Sequence, residues 1–127
     1  MEKDLFKMGA KEYGVYCAAC HRADGRGAVE TGPSLAGSKW VPGEPDLLAS
    51  IVLHGKQGST GMIMPPWGNV LNDRHIASIL THIRREWDNL ASPVPAEIVR
   101  RARADSRSVQ GLWTGEKLEE HAAKDRD

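Results

Sequence analysis

Cys17-Ala18-Ala19-Cys20-His21 constrains this chain more than any other stretch. The pattern C-x-x-C-H is the attachment signature of a c-type haem. Two thiols at that spacing, at the end of a helical turn, can each bond one vinyl group on the same edge of a porphyrin. The histidine that follows is carried beneath the ring, where its imidazole can bind the iron. A chain committed to such a group must enclose a large, flat, apolar body. With 127 residues and 6% aromatic content, side chains alone would make only a thin core. A buried ring around which short helices pack would supply what the composition lacks.

Composition narrows the partners. Acidic and basic residues balance at seventeen each, which argues against nucleic acid or an anionic membrane surface as a general partner. No stretch reaches the length of a transmembrane helix. The opening Met1-Glu2-Lys3-Asp4 lacks the apolar run of a secretory leader. Since c-type haem is usually attached outside the cytoplasm, the expectation is a periplasmic protein in its mature form, or an excised domain.

Periodicity along the chain is helical. Phe6, Gly9, Ala10, Tyr13 and Tyr16 or Cys17 recur at steps of three and four, predicting a helix over 4–16 with Asp4 as its N-cap. Gly9 would cost that helix about 1 kcal/mol relative to alanine, so it is expected to mark a close approach by another backbone. Residues 23–43, rich in Gly, Pro and Ser, read as loop. Pro45 and Asp46 open a short helix over 47–53, closed by His54-Gly55. A glycine-rich run then leads to Met62-Ile63-Met64-Pro65-Pro66-Trp67-Gly68. Asn72 or Asp73 caps the clearest helix, whose apolar stripe is Ile76, Ile79, Leu80, Ile83 and Trp87, with Arg84, Arg85, Glu86 and Asp88 mostly off that face. Ser92-Pro93-Val94-Pro95 is a break. Beyond it, 96–104 predicts a helix whose Arg100, Arg101 and Arg103 face solvent, and a charged final helix follows from 115. No strand pattern of convincing length is present. The expected fold is all-α, three to five short helices with long loops around one covalent haem, divided into a core over 1–93 and a helical C-terminal extension over 94–127.

Haem iron held by one histidine commonly takes methionine as its second ligand in cytochromes c. Met64 is the candidate, since Pro65-Pro66 stiffens the chain directly after it. Met62 competes two residues away, and His54 is the nearest histidine for a bis-His alternative. The second ring nitrogen of His21 needs a partner that fixes its tautomer. Pro33, in Gly32-Pro33-Ser34-Leu35-Ala36-Gly37, is rigid enough to aim its carbonyl there. Trp40 and Trp67 flank the two loops expected to cover the ring, each offering an indole edge. His82, on the edge of the apolar stripe, reads as a packed or hydrogen-bonded substitute for an aromatic. A thioredoxin-like redox pair would need a strand-rich setting the sequence lacks, and adjacent Cys-His is awkward for tetrahedral zinc.

The order Gly9-x-x-x-Tyr13-x-x-x-Cys17-x-x-Cys20-His21, Gly25-x-Gly27 and Gly32-Pro33-x-Leu35-x-Gly37 resembles a class I monohaem cytochrome c. Ile51-Val52-Leu53-His54-Gly55, Met64-Pro65, Leu71-x-Asp73, Ile76-Ala77 and Ile83-Arg84-x-x-Trp87 extend the likeness to cytochrome c domains fused to, or partnered with, bacterial periplasmic dehydrogenases and reductases. Val99-x-x-Ala102-Arg103 and Trp113-Thr114 resemble the C-terminal extension of that group. The resemblance implies thioethers at Cys17 and Cys20, His21 proximal, Met64 distal, the Pro33 carbonyl on His21, and Gly9 and Tyr13 packed against the helix of Ile79 and Ile83. Arg22, His82 and Asp88 depart from the group's usual glycine, aromatic and Trp-Gly-Asn. The implied function is one-electron transfer to a redox partner protein or a fused catalytic domain. A haem enzyme or a gas or redox sensor, with Met64 displaceable, is the alternative.

Overall fold

The structure is a computed structural model that describes residues 2–22, 24–27, 35–36, 40–57, 63–87, 89, 91–105 and 112–126. Five helices of ten or more residues lie among them: α1 (Glu2–Tyr16), α3 (Pro45–His54), α4 (Asp73–Arg85), α5 (Ala96–Asp105) and α6 (Gly115–Arg126). A single turn, α2 (Ala18–His21), follows α1. The all-α expectation holds, with one small addition. Strands β1 (Lys56–Gln57) and β2 (Ile63–Met64) pair antiparallel, Lys56 opposite Met64 and Gln57 opposite Ile63.

The crossing of α1 on α4 is the most extensive helix contact among the described residues. Gly9 is buried where the two meet: a β-carbon there would overlap the carbonyl oxygen of Ser78 and lie 2.9 Å from the β-carbon of His82. The glycine therefore does mark a backbone approach. Helix α4 is held by its apolar stripe, since an isolated helix of this length is marginal in water. Ile76, Ile79, Leu80 and Ile83 are all buried, each contributing about 2 kcal/mol of transfer free energy. Its start is set by Asn72, whose Oδ1 accepts from the His75 N–H at 2.8 Å.

Several local expectations are corrected. Helix α1 already includes Glu2, so Asp4 lies inside its first turn rather than capping it. Trp87 is not part of the α4 stripe, because the helix ends at Arg85 and Trp87 adopts a left-handed conformation (φ 54°) beyond it. Arg84 is not off the buried face. It is 5% exposed, and its guanidinium donates to the carbonyls of Ser92 (2.9 Å), Val41 (3.0 Å) and Gly43 (2.7 Å). Arg100 and Arg101 are exposed as expected, but Arg103 is half-buried and pairs with Asp73 at 2.8 Å.

Residues after 93 share the core. Val94, Val99 and Ala102 join the main cluster with Tyr13, Leu48, Val52, Ile76 and Leu80. Thr81, fully buried, accepts from the Val94 N–H at 2.9 Å and donates to the Val94 carbonyl at 3.3 Å. A second cluster combines Leu47 and Ile51 of α3 with Trp113 and Leu118. The Trp113 indole N–H donates to Ser50 Oγ at 2.9 Å, and its backbone bridges Lys56 in parallel fashion.

Candidate haem site

The segment carrying the two cysteines is fixed by hydrogen bonds that continue from α1. The Cys17 N–H donates to the Tyr13 carbonyl at 2.9 Å, and the His21 N–H donates to the Cys17 carbonyl at 3.0 Å. Cys17 thus ends one helix and begins the next turn, which carries Cys20 and His21. Arg22, at φ 66°, turns the chain away, and its carbonyl accepts from the Tyr13 hydroxyl at 2.7 Å. Burial, with smaller contributions from Cys17 and Asp24, pushes the Tyr13 phenol well above its usual range, so it stays protonated and keeps donating. His21 is 7% exposed, and its own carbonyl accepts from the Gly27 N–H at 3.0 Å.

The loop after His21 is fastened to the far end of α4. The Gly25 carbonyl accepts from both Leu35 (2.6 Å) and Ala36 (3.0 Å). Gly25 has φ 68°, and a β-carbon on it would run into the Trp87 ring. Asn89, buried, donates to the Leu35 and Ile83 carbonyls at 3.2 and 2.9 Å. Pro33 and Met62, named from the sequence, lie outside the described residues, as does Asp88.

Met64 lies on β2, half-buried, and packs against both hydrophobic clusters. Gly55, with φ 82°, faces it: a β-carbon there would stand 2.5 Å from the Met64 carbonyl oxygen. Trp67 packs on the main cluster with its ring 5.6 Å from that of Tyr16, while Trp40 packs on the second cluster. The Trp67 and Gly68 N–H groups donate back to the carbonyls of Val52 (2.9 Å) and Leu53 (3.2 Å) at the end of α3. Met64 therefore touches both clusters, on a segment paired with β1 on one side and tied to the end of α3 through Trp67 and Gly68 on the other.

The residues fit a haem. Two thiol positions, an imidazole and a thioether are residue types whose chemistry would suit covalent attachment of the ring and binding of its iron. Around them Tyr16, Cys17, Ala18, Leu35, Met64 and Trp67 rest on the core with only part of their surface covered, the kind of surface a flat apolar ring would complete. Tyr16 against Trp67 and the Tyr13 to Arg22 bond were not foreseen, and no signal in the sequence places those partners together.

Among the described residues two histidine ring nitrogens are buried without a hydrogen-bond partner, Nε2 of half-buried His54 and Nδ1 of buried His82. His82 packs among the rings of Phe6 (5.1 Å), Tyr13 (5.5 Å) and Trp87 (5.7 Å), taking the place of an aromatic as read from its position. Burial lowers its pKa, and Glu86, 3.9 Å away, opposes this weakly. His54 is lowered by burial too. The unfolded chain therefore takes up protons at these positions more readily than the folded one. Stability is expected to be fully present above the ordinary histidine pKa of 6.5 and to fall as pH drops below it. The slope of melting temperature between pH 7.5 and 5.5 should be shallower in His82→Phe than in the parent. An unchanged slope would remove His82 from the explanation.

Among the described residues no helix is long and apolar enough to cross a membrane. The sequence pattern of the family described as Cytochrome C oxidase, cbb3-type, subunit III matches residues 4–83. The chain belongs to that family, and its cytochrome c character implies covalently bound haem c as the cofactor. It is 38% identical over 114 residues to the gluconate 2-dehydrogenase cytochrome c subunit of Pantoea cypripedii, covering 80% of this chain and 25% of that one. It is 33% identical over 90 residues to the alcohol dehydrogenase (quinone) cytochrome c subunit of Gluconobacter oxydans (strain 621H), covering 65% of this chain and 19% of that one. Cytochrome c-552 of Thermus thermophilus is 31% identical over 117 residues, with 80% of this chain and 88% of that protein covered. The chain thus spans about a quarter or less of the length of the dehydrogenase subunits it resembles.

Proposed function

We propose that this chain holds one haem c through Cys17 and Cys20, with His21 as proximal and Met64 as distal ligand. Pro33 would orient His21 through its carbonyl, and Trp40 and Trp67 would border the ring. The observation that carries the reading is that Cys17, which caps the turn holding His21, and a half-buried Met64 rest on the same hydrophobic cluster. When bound, the haem supplies a one-electron Fe(III)/Fe(II) couple. The chain's own part would be to hold the iron through His21 and Met64, exclude water through Tyr16, Leu35 and Trp67, and hold the loops still so that little moves between oxidation states. Residues 1–93 would carry the cofactor, with 94–127 as a helical extension packed on or linked to them, its Val94, Val99 and Ala102 lying in the shared cluster.

The partner would be a dehydrogenase or reductase, either separate or joined to this chain, since relatives are named as cytochrome c subunits of gluconate and alcohol dehydrogenases. The setting would be outside the cytoplasm, in the periplasm. The electrons would pass through a small transient docking patch near Ala18 and Pro66. The test is optical and by mass. The purified chain should carry the mass of one haem and show a far-red band from sulfur bound to ferric iron. Met64→Leu should abolish that band with the haem still attached. A band that survives in Met64→Leu would reassign the distal ligand to Met62, and a high-spin ferric parent would favour the enzyme or sensor alternative.

A further inference from the structure

We propose that Arg103, on the C-terminal extension, is a positioning residue for the Met64 segment; the inference rests on Met64 being the distal ligand. The stretch between β2 and α4 is held on one side by α3, through the Trp67 and Gly68 N–H groups. After Gly68 the chain turns, and the Val70 and Leu71 N–H groups return to the Trp67 carbonyl at 3.0 and 2.9 Å. The carbonyls of Gly68 and Leu71 both accept from the Arg103 guanidinium, the latter at 3.1 Å, while Arg103 Nε donates to Asp73 Oδ1 at 2.8 Å. One planar, multiply donating group thus spans the turn from its start to the first residue of α4.

The support beneath Arg103 is firm. Its neighbours Val99 and Ala102 are buried in the main cluster. The extension touches the same region a second time at Trp113, whose N–H donates to the Gly55 carbonyl at 3.0 Å and whose carbonyl accepts from Gln57 at 2.8 Å. That contact holds β1, the strand on which Met64 pairs. The extension therefore braces the distal segment from both ends. A solvent-exposed ion pair would contribute little, but Arg103 and Asp73 are only 34% and 31% exposed. Removing the guanidinium also strips two carbonyls of their donor.

A neutral thioether binds ferric iron weakly, so a competing ligand gains access as often as residues 64–71 move aside. The brace sets that frequency. The test titrates ferric holoprotein with imidazole and follows the far-red band, in the parent, Arg103→Ala, Arg103→Lys and Val99→Ala. Arg103→Ala should bind imidazole about tenfold more tightly, as expected from the loss of charge-assisted bonds. Arg103→Lys should recover only part of this, because an ammonium cannot fork to three fixed acceptors. Val99→Ala should lower the melting temperature while leaving imidazole affinity within about twofold of the parent, since its cavity lies in the core and not on the loop. Hydrogen exchange of the Trp67 and Gly68 amides should quicken in Arg103→Ala. Equal imidazole affinity in the parent and Arg103→Ala, or an equal gain in Val99→Ala, overturns the brace. Persistence of the band in Met64→Leu overturns the ligand assignment instead, and this inference with it.

Discussion

Gly9→Ala is expected to destabilise the fold by about 3 kcal/mol or more, at the upper end of overpacking costs, and Gly9→Val to prevent folding. The added β-carbon would overlap the Ser78 carbonyl oxygen, which belongs to the backbone of α4 and has no rotamer to change. Alanine in place of glycine favours α1 itself by about 1 kcal/mol, so two opposed terms meet at one atom. The steric term wins because relieving it means separating α1 from α4, the most extensive helix contact among the described residues. Domains of this size have only about 5–15 kcal/mol in total. Urea midpoints of parent and Gly9→Ala decide the matter: a variant as stable as the parent would mean that the two helices do not approach this closely. Gly14→Ala is the control, because nothing lies within 4 Å of a β-carbon there.

The second large effect concerns a charge inside the protein. Arg84→Met, which keeps much of the volume, is expected to cost about 3 kcal/mol, in the range found when one partner of a buried polar network is removed. Burial lowers the Arg84 pKa and Glu44 pushes back, yet a guanidinium stays charged in any such setting. Its value lies in its three acceptors. Val41 and Gly43 belong to the turn before α3, and Ser92 to the link before α5. Methionine would leave those carbonyls to find water or go without. Arg84→Lys should recover little, since a single ammonium cannot reproduce the fork. Thermal melts of both variants supply the readout. A methionine variant at least as stable as the parent would show that the buried charge costs as much as it returns.

The contrast between these two residues explains what could be read in advance. Gly9 announced itself, because a glycine inside a helical period is locally unfavourable and needs a reason. The α4 stripe was equally plain, as four aliphatic residues repeat at helical spacing and all four are buried. The motif at Cys17–His21 carries its chemistry in five adjacent letters. Arg84 gave no such sign. A cation among Ile83, Arg85 and Glu86 looks like the start of a polar face, and its acceptors at Val41, Gly43 and Ser92 are backbone atoms that could be any residue type. Arg103 was hidden for the same reason within a run of arginines.

The strands escaped notice because two residues each are too few to show alternation. Trp87 fell off the stripe for a local cause. Helix α4 ends two residues earlier, and a left-handed step then swings the indole onto Gly25. For the candidate site, the donor residues were legible one at a time. What the sequence could not supply was the support behind them: Val52 and Leu53 carbonyls under Trp67 and Gly68, and an extension that returns to hold the turn.

The crossing of α1 on α4 also bears on the order in which such a chain can be assembled. Its contact residues include Gly9, Tyr13, Ser78 and His82, and none of them is a proposed ligand. The stretch between the two helices, by contrast, contains every residue proposed to ligate the cofactor or attach it. Closing a loop of that length costs only slightly more than closing a shorter one, so the helices can clasp while the interior is still being fitted. The clasp and its contents are separable steps: the first is written in the helix faces, and the second is completed by a group that the chain itself does not encode.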